Sequence, residues 1–359
     1  MITTGQKIAI QKTEKSRLAE TDLENVKFGR VFSDHMFTMD FVDGSWRKPS
    51  IVPFANLSMS PATLVLHYSQ TIFEGLKAYR GRDGAIYLFR PEENIRRMNA
   101  SAERLCMPPV DPALFLDALK TLVRVEKDWI PHSRGASLYI RPTMIATEPA
   151  LGVHPAGEYL FFIVVGPVGA YYAEGFAPTK IFVSEDYVRA VRGGMGNCKA
   201  AGNYAASLYA SRIASDMGYT QVLWLDAIER KYAEEVGTSN IFFVIGDELV
   251  TPPLAGSILP GVTRNSVLQI ARHWGGLVAE RPVAIAEVIE AAASGDLKEA
   301  FASGTAAIVS PIGQIYYRGQ EHVINGGRTG PLTERLYNEI LQIQYGEKDD
   351  PFGWRMQIA

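Results

Sequence analysis

Apolar and polar positions alternate with a period of two in several stretches of the chain and with a period near 3.6 in others, and both halves contain both patterns. HMFTMDFVDGSW, from His35, alternates and turns at Asp43-Gly44, a hairpin cue. SQTIFEGLKAYRGRDGAIYLF, from Ser69, predicts a helical turn, a strand, a turn at Asp83-Gly84 and a second strand. RPEENIRRMNASAERL predicts a helix with Pro91 near its first turn and Leu105 near its end. DPALFLDALKTLVRVEKDWI predicts a second, amphipathic helix, with Leu116, Leu119, Val123 and Trp129 close to helical spacing. SLYIRPTMIAT and YLFFIVVGPV follow as strands.

The segment GPVGAYYAEGFAP, from Gly166, is rich in loop-forming residues and predicts a connection between domains. Beyond it KIFVSEDYV and QVLWLD predict strands, and IERKYAEEVGTSNIFFVIGDELVTP predicts strands turning at Gly246-Asp247. LPGVTRNSVLQIARHWG predicts a loop feeding a helix that Gly275 can close. AIAEVIEAAASG and GPLTERLYNEILQIQYG predict helices, and EAFASGTAAIVSPIGQIYY predicts strands. Strands and helices mix without the regular alternation of a doubly wound sheet. The expected fold is therefore α+β (mixed α/β), in two domains with a cleft between them. The expected boundaries are a flexible arm over 1–24, a small domain over 25–167, a loop over 168–178 and a large domain over 179–359.

The chain has 359 residues, enough for two domains, with 47% hydrophobic and 21% charged residues. Its formal charge of −3 offers no basic field for nucleic acid or an anionic membrane. Two cysteines, Cys106 and Cys198, cannot build a disulfide framework, and the six histidines are scattered without metal-ligand spacing. No metal site is expected. The polar N-terminus lacks a signal-peptide core, and the longest apolar run, from Tyr159, is strand-sized. A cytoplasmic protein without a membrane partner is expected.

One stretch resists a purely structural explanation. GGMGNCKAAGNYAASLYASRIA, from Gly193, places a single lysine, Lys199, before a helix rich in small residues, with no acid near it in sequence. Cys198 and Ala200 break the Walker pattern on both sides, and Lys199 stands where a dinucleotide fingerprint needs its third glycine. A surface lysine is the ordinary alternative, but a cation sits poorly at the positive end of a helix. The alanines at 200, 201, 205, 206 and 210 imply close packing on more than one face, which desolvates the amine. Burial lowers a lysine from its reference pKa of about 10.4, so that the neutral amine can attack a carbonyl. Schiff-base chemistry is the usual purpose.

If that carbonyl belongs to pyridoxal phosphate, the chain must supply a phosphate site, a carboxylate for the ring nitrogen and a donor to the ring oxygen. Gly261, Val262 and Thr263 open a predicted helix, where unpaired N–H groups favour an anion. Ser303, Gly304 and Thr305 form a predicted tight turn, and Arg97, Arg189 and Arg192 add charge. Taken singly each is weak; their conjunction counts. Of the adjacent Glu234 and Glu235, one faces inward on a strand; Glu235 is the candidate acid and Glu234 is expected to be solvated. Tyr204 is the candidate donor, a core aromatic being the plainer alternative.

The motifs YVRAVRGGMGNCKAAGNYAASL, EEVGTSNIFFV, LPGVTR and SGTAAIVSP resemble those of the branched-chain amino acid aminotransferases, fold-type IV pyridoxal-phosphate enzymes. The resemblance extends through FGRVFSDHMF, LHYSQTIFEGLKAYRG, SLYIRP and TEPALGV and so covers nearly everything after the arm. It implies two α/β domains with pyridoxal 5′-phosphate in the interdomain cleft. It implies that Lys199 bonds the cofactor and moves the substrate proton. It implies that Glu235 pairs with the ring nitrogen and Tyr204 with the ring hydroxyl. Arg97, Arg189, Thr305 and the N–H groups of Val262 and Thr263 are implied phosphate ligands, with Thr238, Leu259, Gly261, Ser303 and Gly304 completing the cofactor surround. Phe28, Phe73, Tyr139, Tyr171 and Thr238 are implied around the substrate side chain. The Thr305-Ala306 backbone, helped by Tyr68 of the partner subunit, would bind the α-carboxylate, and Arg141 the distal carboxylate of glutamate.

The activity implied is ping-pong amino transfer between leucine, isoleucine or valine and 2-oxoglutarate, giving branched-chain 2-oxo acids and glutamate, in a homodimer. D-amino acid aminotransferases and aminodeoxychorismate lyases share the fold and stand as alternatives; they are typically shorter and lack the long N-terminal region. A non-catalytic cofactor carrier would not need Lys199, Tyr204 and Glu235 together. Mammalian members carry a Cys-x-x-Cys pair where this chain has Ala307 and Ser310, so no thiol switch is expected there.

Overall fold

A computed structural model describes residues 7–23, 26–169 and 176–359. The chain divides into two compact units, Met1–Ala173 with Cys198–Ala201 and Gln342–Ala359, and Glu174–Asn197 with Gly202–Leu341.

The first unit is built on β1 (Ala9–Ile10), β2 (His35–Val42), β3 (Ser45–Pro53), α1 (Leu64–Tyr68) and β4 (Thr71–Phe73). It continues with β5 (Leu76–Arg80), β6 (Ile86–Phe89), α2 (Pro91–Arg104), α3 (Pro112–Val125), β7 (Ser137–Ala146) and β8 (Tyr159–Val168). The sheet runs β1-β3-β2-β8-β7-β5-β6, and Arg355–Gln357 adds a last strand beside β6; β4 pairs with β7. The hairpin at Asp43-Gly44 forms as expected, with both residues at positive φ (50° and 70°), as a two-residue turn matched to strand twist requires. Asp111 caps α3 by accepting from the Leu114 N–H at 2.9 Å, and Pro112 follows at the first helical position. The buried face of α3 is Phe115, Ala118, Leu119, Leu122 and Val123; Leu116 is only half-buried, and Trp129 is buried in a separate 3-10 turn. The apolar stripe therefore sits one residue away from the expected one at Leu116.

The expected boundaries differ from the units in three places. β1 pairs with β3, and Ser16 and Arg17 bond Asp34, so part of the expected arm is seated on this sheet. Residues 198–201 belong to the first unit because Ala200 bridges Ile72 and the Phe73 N–H donates to the Lys199 carbonyl at 3.0 Å. The C-terminal segment belongs there because its strand adds to β6.

The second unit contains β9 (Thr179–Ser184), all but the first residue of α4 (Ala201–Asp216), β10 (Gln221–Leu225), β11 (Ala233–Val236), β12 (Ser239–Ile245) and β13 (Glu248–Thr251). It ends with α5 (Val262–His273), β14 (Leu277–Glu280), α6 (Ile285–Ser294), β15 (Leu297–Gly304), β16 (Ile308–Tyr317), β17 (Gln320–Val323) and most of α7 (Pro331–Gln344). The strands run β11-β10-β9-β16-β15-β12-β13-β14, with β17 beside β16 and β11 also paired to β12. Alternation splits β10 between two cores. Leu223 and Leu225 join Ile285 and Val288 of α6, while Val222 and Trp224 pack with Ala210 and Ala214 of α4. In α4 only Asn203, Ser207, Ala210 and Ala214 are buried, a single stripe; Ala205 and Ala206 are exposed. The expected packing on several faces is thus packing on one.

Candidate active site

Within the first unit the structure gathers most of the residues expected around the anchor and the substrate. Lys199 lies between the two segments that fix its backbone: its N–H donates to Ser101 Oγ of α2 at 3.0 Å, and its carbonyl accepts from Phe73 at 3.0 Å. The side chain is half-buried, with Nζ 5.1 Å from the centre of the Phe73 ring. The Arg141 guanidinium lies 4.7 Å from the same ring and donates to the Tyr139 hydroxyl at 2.9 Å. Phe28 packs edge-on against Tyr139, with 4.9 Å between ring centres. Gly75 leaves room for this ring: a Cβ there would come within 2.2 Å of the Tyr139 hydroxyl and displace it. Desolvation, with Arg97 next in size and Arg141 adding to it, brings the Lys199 amine down to about 8; Glu74 and Tyr139 oppose this.

Arg97 lies on the buried side of α2, and its fork is occupied. Nε and Nη2 donate to the two oxygens of Glu74 at 2.7 and 2.8 Å. Glu74 is completely buried and also accepts from Asn94 Nδ2 at 2.8 Å. An acid therefore does lie near Lys199 in space, although none lies near it in sequence. Tyr68, at the C-terminal end of α1, is exposed and donates to the Leu151 carbonyl. Tyr171 lies outside the described residues.

Within the second unit Glu235 is the centre. It is buried, and its Oε2 lies 2.6 Å from Arg189 Nε, an ion contact without hydrogen-bond alignment. Its Oε1 accepts from Asn240 Nδ2 at 3.1 Å and from the Leu259 N–H at 3.3 Å. Arg189 is held in turn by the carbonyls of Gly196, at 3.2 Å, and Ser257. A Cβ on Gly196 would meet the Ser257 oxygen at 2.0 Å, so the glycine is needed for this close approach. Asn240 was missing from the sequence expectations. It faces Glu235 across the β11–β12 hairpin and also donates to the Leu259 carbonyl at 2.9 Å. The signal was present: Asn240 stands five residues after Glu235, with Gly237-Thr238 between them as a tight turn.

Glu234 is not solvated. Both faces of β11 are covered, and Glu234 is buried like its neighbour, accepting from Ser257 Oγ while burial pushes its carboxyl up. It lines a cavity of about 210 Å³ with Val191, Ile258 and Arg192, the last of which was a candidate for the phosphate site. Tyr204 is half-buried on α4, and Thr238 is exposed at the hairpin tip.

α5 starts at Val262 after Gly261, with no side-chain cap on its first N–H groups. Arg264, beside Thr263, is committed elsewhere, to the Pro252 carbonyl and Glu280. The turn at Thr305-Ala306 joins β15 to β16; Ser303 Oγ just before it is buried without a hydrogen-bond partner among the described residues. No group of three His, Cys, Asp or Glu side chains that could hold a metal occurs among the described residues.

Comparison with known proteins agrees with this chemistry. Residues 71–315 match the family model for amino-transferase class IV. Branched-chain-amino-acid aminotransferase 2 of Bacillus subtilis (strain 168) is 52% identical over 99% of this chain and 98% of its own. The crystal structure of the Escherichia coli branched-chain amino acid aminotransferase has a TM-score of 0.75 at 26% identity, covering 91% of this chain and 99% of its own. The T.th. branched-chain amino acid aminotransferase complexed with N-(5′-phosphopyridoxyl)-L-glutamate has a TM-score of 0.73 at 27% identity, covering 89% of this chain and 98% of its own. The chain belongs to the class IV aminotransferases, among the branched-chain amino acid aminotransferases.

Proposed function

We propose that Lys199 carries out the covalent and proton-transfer chemistry of a pyridoxal-phosphate-dependent branched-chain L-amino acid transaminase, acting on leucine, isoleucine or valine with 2-oxoglutarate as acceptor. The observation that carries this is the Lys199 amine. It is fixed at its backbone from two sides, lies over Phe73 and is brought down to about 8 by its surroundings. About a tenth of it is neutral at pH 7, against well under a thousandth for an ordinary lysine.

The residues present fit the cofactor. Glu235 is a buried acid anchored on three sides, suited to face a protonated ring nitrogen. Among the described residues, the first turn of α5 has no side-chain cap and Ser303 Oγ no hydrogen-bond partner, and both are donors of the kind a phosphate accepts from. When bound, pyridoxal phosphate supplies the carbonyl that takes up the amino group and a conjugated ring that receives the electron pair released at Cα.

The chain's own residues do the rest. Neutral Lys199 Nζ would take the proton from Cα of the amino donor, hold it as the ammonium and give it up again within the same half-reaction, so that the amine ends neutral. Glu235 keeps the ring nitrogen protonated, Arg189 fixes Glu235, and Tyr204 donates to the ring oxygen. Arg97, Arg189, Thr305 and the N–H groups of Val262 and Thr263 hold the phosphate, bordered by Leu259, Gly261 and Gly304. Phe28, Phe73, Tyr139, Tyr171 and Thr238 receive the aliphatic side chain. The Thr305-Ala306 backbone takes the α-carboxylate. Arg141, stacked between Phe73 and Tyr139, offers a cation to glutamate without breaking the apolar wall.

We also propose a homodimer. Leu66, Leu151 and Val153 are 58%, 63% and 83% exposed beside Tyr68, an apolar surface suited to a second copy, which Tyr68 of the partner subunit would then enter. Among the described residues no helix is long and apolar enough to cross a membrane, and a cytoplasmic location is part of the proposal.

Borohydride reduction of the cofactor-loaded protein, followed by peptide mapping, should place the cofactor on Lys199. Lys199→Ala should abolish turnover with leucine and 2-oxoglutarate, and a panel of L- and D-donors should favour branched L-amino acids. Normal turnover in Lys199→Ala, or preference for D-donors, refutes the assignment. Light scattering should give a dimer mass; a fully active monomer refutes that part.

A further inference from the structure

The strongest unassigned group is Glu74. It follows β4, carries no exposed surface and stands next to the residue whose N–H holds the Lys199 carbonyl. Its own N–H donates to the Pro142 carbonyl at 2.8 Å, so its backbone is pinned to β7. Its carboxylate accepts from both arms of the Arg97 fork, from Asn94 and from the Gly75 N–H at 3.2 Å. Asn94, Arg97 and Ser101 stand at positions i, i+3 and i+7 of α2, one stripe of the helix. That stripe grips Glu74 through its first two members and the Lys199 N–H through its third.

A buried ion pair is poor evidence of a stabilising device, because desolvating two charges costs about as much as their attraction returns. This pair also stands beside a third and a fourth charged group. Arg97 and Arg141 both press the proton off Lys199, and Glu74 is the acid that opposes them. Burial pushes the Glu74 carboxyl up, but the Arg97 charge and hydrogen bond, Lys199 and Asn94 together hold it below its ordinary value. Glu74 therefore stays charged, with Arg97 and Lys199 as the cations that act on it.

We infer that Glu74 is a positioning residue: it fixes the plane of the Arg97 guanidinium and supplies the negative charge against which Lys199 gains and loses its proton. The inference rests on the proposed role of Lys199. The bidentate geometry leaves Arg97 one orientation. The acid keeps the lysine able to hold the proton it has removed, where two arginines alone would expel it.

The test measures the apparent pKa of Lys199 in the cofactor-free full-length protein, from the pH dependence of its modification by an amine-specific reagent, quantified on the Lys199 peptide. Glu74→Gln should move the midpoint down, by about one unit for an opposite charge at close range, and so raise modification at pH 7 about fivefold. Arg141→Gln, which removes a cation, should move it up. Glu74→Asp should return it most of the way toward wild type. General loosening of the site would move Glu74→Gln and Arg141→Gln in the same direction, and that result, or an unmoved midpoint, overturns the inference. If Glu74→Gln does not fold, Glu74→Asp is read instead, with a smaller downward shift expected and no shift counting against it. Failure of the Lys199 assignment is distinguishable, since borohydride would then label a different peptide in the loaded wild-type protein.

Discussion

Glu235→Gln tests how the second unit holds its central acid. The pair with Arg189 is separated by 2.6 Å, with side chains only 4% and 8% exposed. At an effective dielectric of 20 the Coulomb attraction at that distance is about 6 kcal/mol, and the desolvation of the two ions offsets several kcal/mol for each. The net worth of the intact pair is therefore small, while removing one charge strands the other. Stranding a buried charge costs about 3–5 kcal/mol. Glutamine keeps an oxygen for Asn240 and Leu259, and Arg189 keeps the Gly196 and Ser257 carbonyls, so the loss should lie near about 3 kcal/mol, at the low end of that range. Arg189→Met should lose a similar amount, and the double variant should lose far less than the sum, with a coupling energy of about 2 kcal/mol or more. Urea unfolding of the four cofactor-free proteins at pH 7, followed by circular dichroism, measures all four corners. Single losses that add to within about 0.5 kcal/mol would show that the pair does not act as a unit and would refute the reasoning.

Other outcomes follow from single contacts. Lys77 is buried, and desolvation brings its amine down to about 8 from 10.5. The unfolded chain thus binds more protons between those values, and stability rises with pH from about 8 to 10.5. Lys77→Met should be more stable by up to about 3 kcal/mol at pH 7, with the gap closing as pH rises through that window; a constant gap in urea titrations would refute it. In Gly261→Ala the new Cβ would meet Asn240 Oδ1 at 2.0 Å. Moving Asn240 loosens Glu235, so affinity for pyridoxal phosphate should fall about tenfold or more by absorbance titration, and wild-type affinity would count against this route. Asp111→Ala removes the cap of α3 and should cost about 1 kcal/mol of thermal or urea stability without changing cofactor affinity.

Much of the site was legible in the sequence because its signals are local. Lys199 stood out from its immediate neighbours, the α5 entrance was marked by Pro260-Gly261, and the Glu235 strand by its apolar continuation. Glu234 was misjudged because a strand with one covered face would solvate it, and only the folded unit, in which all four residues of β11 are buried, shows that both faces are covered. Ala205 and Ala206 were misjudged because small side chains permit close packing without requiring it.

By itself the sequence determined the elements, whose apolar periods are properties of consecutive residues, together with the family and the lysine proposed as the anchor. Only the tertiary structure decided the charges around that lysine. Glu74 lies 23 residues from Arg97 and far from Lys199 in the chain, and nothing in the local pattern of either segment announces the meeting. The same holds for Asn240 against Leu259 and for the C-terminal strand joined to β6. Periodicity records which side of an element is dry. Which charges share the dry space depends on how strands are ordered and helices laid across them, and that order is set by the fold as a whole.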